Sequence, residues 1–359
     1  MRWNIYKNNV WLLLLLLPEN CLLYYTFDLI MSSSFAQQII RISNEYTIYM
    51  TLVLLIGGII GNCLNLLIFS TSKIFRESPC AFLLIVLSLT DIGQVVITLS
   101  SRILSSALGV DPTTASLVWC RLRGFLAQIL SLTSVYTICF IAFDQFLSTS
   151  YLFYLRNLSN LKVAHRFILI MICLSTIHSF PLLIIPENHP TKGCNIYNSA
   201  YFFYNTYIYF IGLIGILPTL ISSLFSFLSC YNIRHIIPRQ IGLTRRRLDR
   251  QLTIIAFVRT ICSIALVLPY IVYRIYYYIN ASSGNSAMQI AILSLVGAIA
   301  NSLIIFNYAG SFYLFLIFSA RFRRQLKLLF KRIYSKIFAR RNQIQPHVII
   351  VRSIGTDIH

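Results

Sequence analysis

Seven stretches of this chain stay apolar over lengths that reach across a lipid bilayer, and this pattern limits the fold more than any other feature. They run from about Thr47 to Ser70, Ala81 to Ser101, Gly124 to Ser148, Phe167 to Ile185, Ala200 to Cys230, Leu252 to Ile279 and Ala287 to Ser319. An apolar run of roughly 18 or more residues with few charges spans as a helix. A helix is required because hydrocarbon offers no partner to a loose peptide N–H or C=O. A transmembrane barrel would instead show runs of about ten residues alternating apolar with polar. Composition agrees: 57% of residues are hydrophobic and 11% charged, whereas a soluble domain carries roughly 25% charged residues. Soluble-enzyme, fibrous and disordered chains are excluded. The expected fold is an all-α membrane bundle of seven helices, with no catalytic set.

The few charges are one-sided. There are 30 Lys and Arg against 10 Asp and Glu, a net charge of +20. Such an excess signals either a nucleic-acid partner or basic loops on one side of a membrane. The segments after the first, third, fifth and seventh runs hold 21 of the basic residues, including Arg245, Arg246, Arg247, Arg323 and Arg324. The segments on the other side hold 7, and Arg259 and Arg274 lie within the sixth run. An odd number of spans puts the two ends on opposite sides. The positive-inside rule then predicts a cytoplasmic C-terminus and an outer N-terminus. The basic residues are spread over four segments, so no nucleic-acid partner is expected.

The first 30 residues leave two readings open. Arg2 and Lys7 precede the apolar run Val10–Leu17 and then Pro18, the outline of a signal peptide without its small-residue cleavage site. The alternative is a true start at Met31. Residues 1–45 are expected outside, 46–319 in the bundle, 320–333 in a short amphipathic helix, and 334–359 in a cytoplasmic tail. Most of the nine cysteines fall inside spans, where Cys acts as a small apolar residue. Two do not. Cys120 begins the third span on the outer side, and Cys194 lies in the outer loop between the fourth and fifth. Both face an oxidising compartment, which suits a disulfide across the mouth of the bundle. No Cys and His spacing suits a metal.

Several motifs carry a family likeness. The first span holds Gly61-Asn62-Cys63-Leu64, the second Leu87-Ser88-Leu89-Thr90-Asp91. Pro218 and Pro269 sit mid-span in the fifth and sixth, and Phe322–Phe330 forms an amphipathic run after the seventh. In this order and spacing, with Cys120 and Cys194, they resemble a rhodopsin-like (family A) G-protein-coupled receptor over about Tyr46–Phe330. The resemblance implies a plasma-membrane receptor whose partners are an extracellular ligand and a heterotrimeric G protein. It also implies a Cys120–Cys194 disulfide, a sodium ion at Asp91 with Asn62 and Asn307 nearby, and hinges at Pro218 and Pro269. The departures resemble a divergent invertebrate form, chemosensory or peptide-receptor-like. Asp144-Gln145-Phe146 stands where the family has D-R-Y, and Gln145 can hydrogen-bond but not form the family's ion pair. Leu266-Val267-Leu268-Pro269 replaces C-W-x-P. The N-P-x-x-Y position falls on Ser311–Phe315, or on Asn307-Tyr308 in another register.

Each site has a plainer reading beside the functional one. Asp91 is a buried carboxylate, costly in hydrocarbon and usually functional, or else it serves packing alone. Asp144 is a switch or an interfacial charge. Ala127 stands where amine receptors of the family carry Asp, and no acid lies in the outer halves of the spans. A cationic amine therefore lacks a counter-ion. Arg102 and Arg274 lie near the outer ends of their spans, with Gln128, Tyr273, Tyr276 and Tyr277 nearby. They suit a peptide or anionic ligand, or else they snorkel to headgroups. A receptor-like binder that does not signal and a transporter or channel are the rival functions, although no internal repeat supports transport. The topology is directly measurable. Asn280-Ala281-Ser282 is expected outside and Asn157-Leu158-Ser159 inside. In glycosylating cells, Asn280→Gln should lower the apparent mass by one glycan on a gel, and Asn157→Gln should leave it unchanged.

Overall fold

The computed structural model describes residues 19–71, 78–108, 112–189, 193–235, 243–280 and 286–343. The signal-like run Val10–Leu17, the sequon residues Ala281 and Ser282, and the tail beyond Gln343 lie outside the described residues. Among the described residues, seven helices are long and apolar enough to cross a membrane: span 1 Ser34–Thr71, span 2 Pro79–Leu104, span 3 Leu117–Thr149, span 4 Leu161–Leu183, span 5 Ser199–Arg234, span 6 Thr253–Asn280 and span 7 Ala287–Ala309. Four differences from the expected boundaries have local causes. The first helix begins at Glu19 rather than near Thr47, because no Gly or Pro interrupts the chain between Glu19 and Ile56. Span 3 begins at Leu117, where the Ser116 side chain accepts from the Trp119 N–H and caps the helix. The seventh run is broken at Gly310 into Ala287–Ala309 and Ser311–Phe318. The terminal helix, expected over 320–333, runs Ala320–Gln343, through good helix formers and no Gly or Pro.

The surface is inverted relative to a soluble protein. Val53, Ile56 and Ile60 of span 1, Leu169 and Ile177 of span 4, and Leu220, Leu224 and Phe227 of span 5 are exposed. These stripes repeat at three- and four-residue spacing, as a lipid-facing helix side requires. The polar residues turn inward. Span 3 buries Gln128, Ser131, Thr133, Ser134, Thr137 and Gln145, and it packs against spans 2, 4, 5 and 6. It is the axis of the bundle.

Lipid tails are as apolar as leucine, so close approach and hydrogen bonding must hold the helices together. Gly61 provides such an approach. A Cβ built there would sit 2.9 Å from Phe312 Cβ, so span 1 meets the extension of span 7 backbone against side chain. Beyond it, Phe312, Phe315 and Phe322 cluster with Phe69, with ring centroids 5.7–5.9 Å apart. Ser319 Oγ accepts from the Phe322 N–H at 3.2 Å and starts the terminal helix. Arg323 donates to the carbonyls of Leu316 and Ile317 at 3.0 and 2.7 Å, satisfying the last free C=O groups before it.

At the other end of the bundle, β1 (Glu187–His189) and β2 (Gly193–Asn195) form an antiparallel hairpin with Asn188 opposite Cys194. Gly193 has φ +71°, a left-handed conformation that glycine alone adopts freely. Cys194 forms a disulfide with Cys120, the Cα atoms 5.9 Å apart, and Arg121 Nε donates to Pro186 O at 3.0 Å. The hairpin is thus fixed to the start of span 3. Span 5 is wound as a π-helix over Tyr204–Ile216, and Leu217 N–H still bonds to Gly212 O five residues back before Pro218. Gly61→Ala is expected to cost about 1–3 kcal/mol by overpacking, lowering Tm in detergent. Gly212→Ala, whose new Cβ lies 3.6 Å from its nearest neighbour, is expected to leave Tm unchanged.

Candidate functional site

Three groups of polar residues occupy the bundle, one at mid-depth and one toward each end. The central group surrounds Asp91, which is fully buried on span 2. Its Oδ1 accepts from Ser134 Oγ on span 3 at 2.6 Å. Its Oδ2 lies 3.8 Å from Arg259 Nη2 on span 6. The same Nη2 donates to the main-chain carbonyl of Asn307 on span 7. Asn307 Oδ1 in turn accepts from Ser263 Oγ at 2.9 Å. Asn62 Nδ2 on span 1 donates to Gly58 O at 3.0 Å and Tyr308 O at 3.2 Å, and its Oδ1 accepts from Ser311 Oγ at 3.0 Å. Ser131 Oγ and Tyr308 Oη lie 2.7 Å apart.

Helical spacing explains how one small region gathers so many groups. Asn307, Tyr308 and Ser311 stand at i, i+1 and i+4 and share one face, although the helix is interrupted at Gly310, whose N–H bonds to Phe306 O at 2.7 Å before it restarts at Ser311. That face meets spans 1, 3 and 6 through Asn62, Ser131 and Arg259. Both registers considered for N-P-x-x-Y meet here, Asn307 through Arg259 and Ser311 through Asn62. Phe315 lies apart, packed at 2% exposure among the phenylalanines below. Arg259, 3% exposed, did not stand out in the sequence-based site. Its signal was present, because a guanidinium inside a span is costly and needs a partner. Pairing it with Asp91 required knowing which faces of spans 2 and 6 meet.

The second group lies toward the terminal-helix end. Asp144 Oδ1 accepts from Ser159 Oγ at 2.7 Å, and Ser159 closes the short helix Phe153–Leu158 that follows span 3. Gln145 turns the other way. Its Oε1 accepts from Thr253 Oγ1 on span 6 at 3.2 Å. Ser229 on span 5 bridges Thr253 and Thr149, each at 3.2 Å. A neutral ring of amide and hydroxyl groups thus joins spans 3, 5 and 6. Pro218 leaves its carbonyl to Cys139 Sγ at 3.4 Å and Ser222 Oγ at 2.7 Å. Val267, Pro218, Ser263 and Asn307 border one small cavity between spans 3, 5, 6 and 7. Span 6 remains helical through Pro269.

The third group lies beneath the disulfide. Arg274 stacks its guanidinium over Phe210 at 4.7 Å and Phe202 at 5.8 Å, both on span 5, and its Nε has no hydrogen-bond partner among the described residues. Tyr270 and Tyr273 lie within electrostatic reach of both Arg102 and Arg274. Tyr273 packs its hydroxyl over Gly297 of span 7. Tyr277 follows Tyr273 at 6.0 Å between centroids and is partly exposed, and Tyr276 is 51% exposed. Gln128 is already engaged. Its Nε2 lies 2.9 Å from His178 Nδ1, and His178 Nε2 lies 2.8 Å from Tyr204 Oη, a chain joining spans 3, 4 and 5. Asn280 ends span 6 at this same end, its Nδ2 donating to Tyr276 O at 2.9 Å.

Comparison with protein families gives a match. The sequence pattern described as 7 transmembrane receptor (rhodopsin family) matches residues 61–307, from the glycine that meets Phe312 to the asparagine beside Arg259. No curated protein matches the chain.

Proposed function

The chain belongs to the rhodopsin family of seven-transmembrane receptors, and on that premise we propose that it carries the binding of an extracellular anionic or peptide ligand to a heterotrimeric G protein. It is a multi-pass membrane receptor and not an enzyme. The disulfide end faces outward in this reading and the terminal helix lies in the cytoplasm, which the 21 basic residues on that side support. The observation that supports the ligand class is Arg274, stacked over Phe210 at 4.7 Å with its Nε unpartnered among the described residues, and Arg102 lies within electrostatic reach of the same tyrosines, Tyr270 and Tyr273. An Arg that merely snorkelled would aim its head at the lipid surface, whereas Arg274 lies over Phe210 with a donor to spare. A carboxylate, sulfate or phosphate on the ligand would meet guanidinium donors and tyrosine hydroxyls together.

The ligand acts by binding one arrangement of the bundle better than another. Spans 5 and 6 are the elements to move, since a π segment, Pro218 and Pro269 already interrupt their regular bonding. The basic loops and terminal helix then meet the G protein and the anionic leaflet. Cells expressing the chain, screened with acidic peptides and organic anions against amines, test this by G-protein dissociation. Arg274→Ala and Arg102→Ala should each shift the half-maximal dose about 10- to 100-fold at unchanged surface expression. A hydrogen bond to a charged group is worth about 1.5–3 kcal/mol, and 1.4 kcal/mol is tenfold. A response to a monoamine that both variants leave intact would sink the anionic reading.

A second reading, a binder that does not signal, rests on Gln145. Its contact to Thr253 is a neutral hydrogen bond where the family has a charged arginine. Gln145→Arg discriminates the two. A signal appearing only in the variant supports the silent binder, and a signal in the unaltered chain rules it out.

A further inference from the structure

The family resemblance places a sodium ion at Asp91, and the residues around that carboxylate do not fit one. A sodium ion needs several oxygen atoms and a carboxylate not already balanced by another cation. Here the Arg259 guanidinium approaches Asp91 Oδ2 to 3.8 Å, with both side chains at or near zero exposure. Nη2 of that guanidinium is anchored in place by the Asn307 carbonyl. Asn62 Oδ1, another oxygen of the cluster, accepts from Ser311 Oγ. A sodium ion bonded to Asp91 would lie a few ångström from a fixed positive charge in a medium that screens poorly.

We propose that Arg259 supplies, from within the fold, the cation that balances Asp91, so that the pocket between spans 2, 6 and 7 excludes sodium. The consequence reaches beyond ion binding. A sodium ion can leave such a pocket as the bundle rearranges, but a side chain cannot. Arg259 stays with Asp91 or is carried away from it by span 6. The family's ion pair cannot form at Gln145, and here a charge pair stands instead at mid-depth, linking span 6 to spans 2 and 7. The pair is a latch that opens only by separating charges inside the bundle, and it works without any ionic cofactor.

The experiment begins with the unaltered full-length receptor, purified and held in lipid nanodiscs. Its Tm should be the same in sodium chloride and in N-methylglucamine chloride at equal ionic strength. Arg259→Met keeps an unbranched side chain of similar reach and removes the charge. Its Tm should rise with sodium along the saturating curve of a ligand that binds the folded state alone, and N-methylglucamine should give no such rise. A sodium-specific rise in the unaltered receptor overturns the proposal. So does a folded Arg259→Met protein whose Tm ignores sodium. If Arg259→Met does not fold, the double variant Asp91→Asn with Arg259→Met decides. Surface expression restored toward the unaltered level shows that the single change failed by leaving Asp91 unbalanced, and expression no better than that of Arg259→Met alone overturns the pairing.

Discussion

Hydrocarbon accepts no hydrogen bonds, and the rest of this structure follows from that constraint. Every polar group carried into the membrane must find a partner inside the protein. The chain answers by turning leucine, isoleucine and phenylalanine outward and burying its amides, hydroxyls and charges inside the bundle, many of them on span 3. The groups pair across helices as Asp91 with Ser134, Asn62 with Ser311, and Gln145 with Thr253. Each link is modest, and measured hydrogen bonds between membrane helices average about 0.6 kcal/mol. What they fix is register, because a helix turned by a third of a revolution would offer these groups to lipid.

The buried charge pair belongs to a different class. Removing one member of a buried ion pair costs about 3–5 kcal/mol, whereas replacing both with apolar side chains is often neutral. The Asp91–Arg259 pair is therefore weak evidence for stability. A bundle in which span 6 had rotated away would leave two charges unpaired at mid-membrane.

Much of this architecture was legible in the sequence. Bilayer thickness sets the length of a span, so all seven could be read from apolar runs, and the cysteines at the start of span 3 and after span 4 marked the strap. The boundaries that differed were decided by local backbone chemistry. Gly310 lies inside a long apolar run, and the interruption there, with a new helix from Ser311, leaves no mark on hydropathy. The π winding of Tyr204–Ile216 leaves no mark on periodicity that a short window detects. The site was half legible. Asp91, Asn62, Asn307 and Ser311 came from motif spacing, and they do share one cluster. Arg259 was visible only as a misplaced charge, because periodicity on one helix does not say which helix it faces. Gln128 showed the opposite limit. Its position suited a ligand contact, yet its amide is committed to His178.

The strap between Cys120 and Cys194 spans 74 residues of sequence. In a soluble chain, closing such a loop would restrict the unfolded ensemble substantially, by about 4 kcal/mol in the chain-entropy view. In a membrane the helices at both ends of the loop are already confined, so little of that freedom exists to be lost. The bond therefore contributes chiefly to the shape of this end of the bundle. It holds the hairpin to the start of span 3, the axis of the bundle, where Arg121 also donates to Pro186 O. Reduction would leave the bundle standing and the hairpin without its anchor.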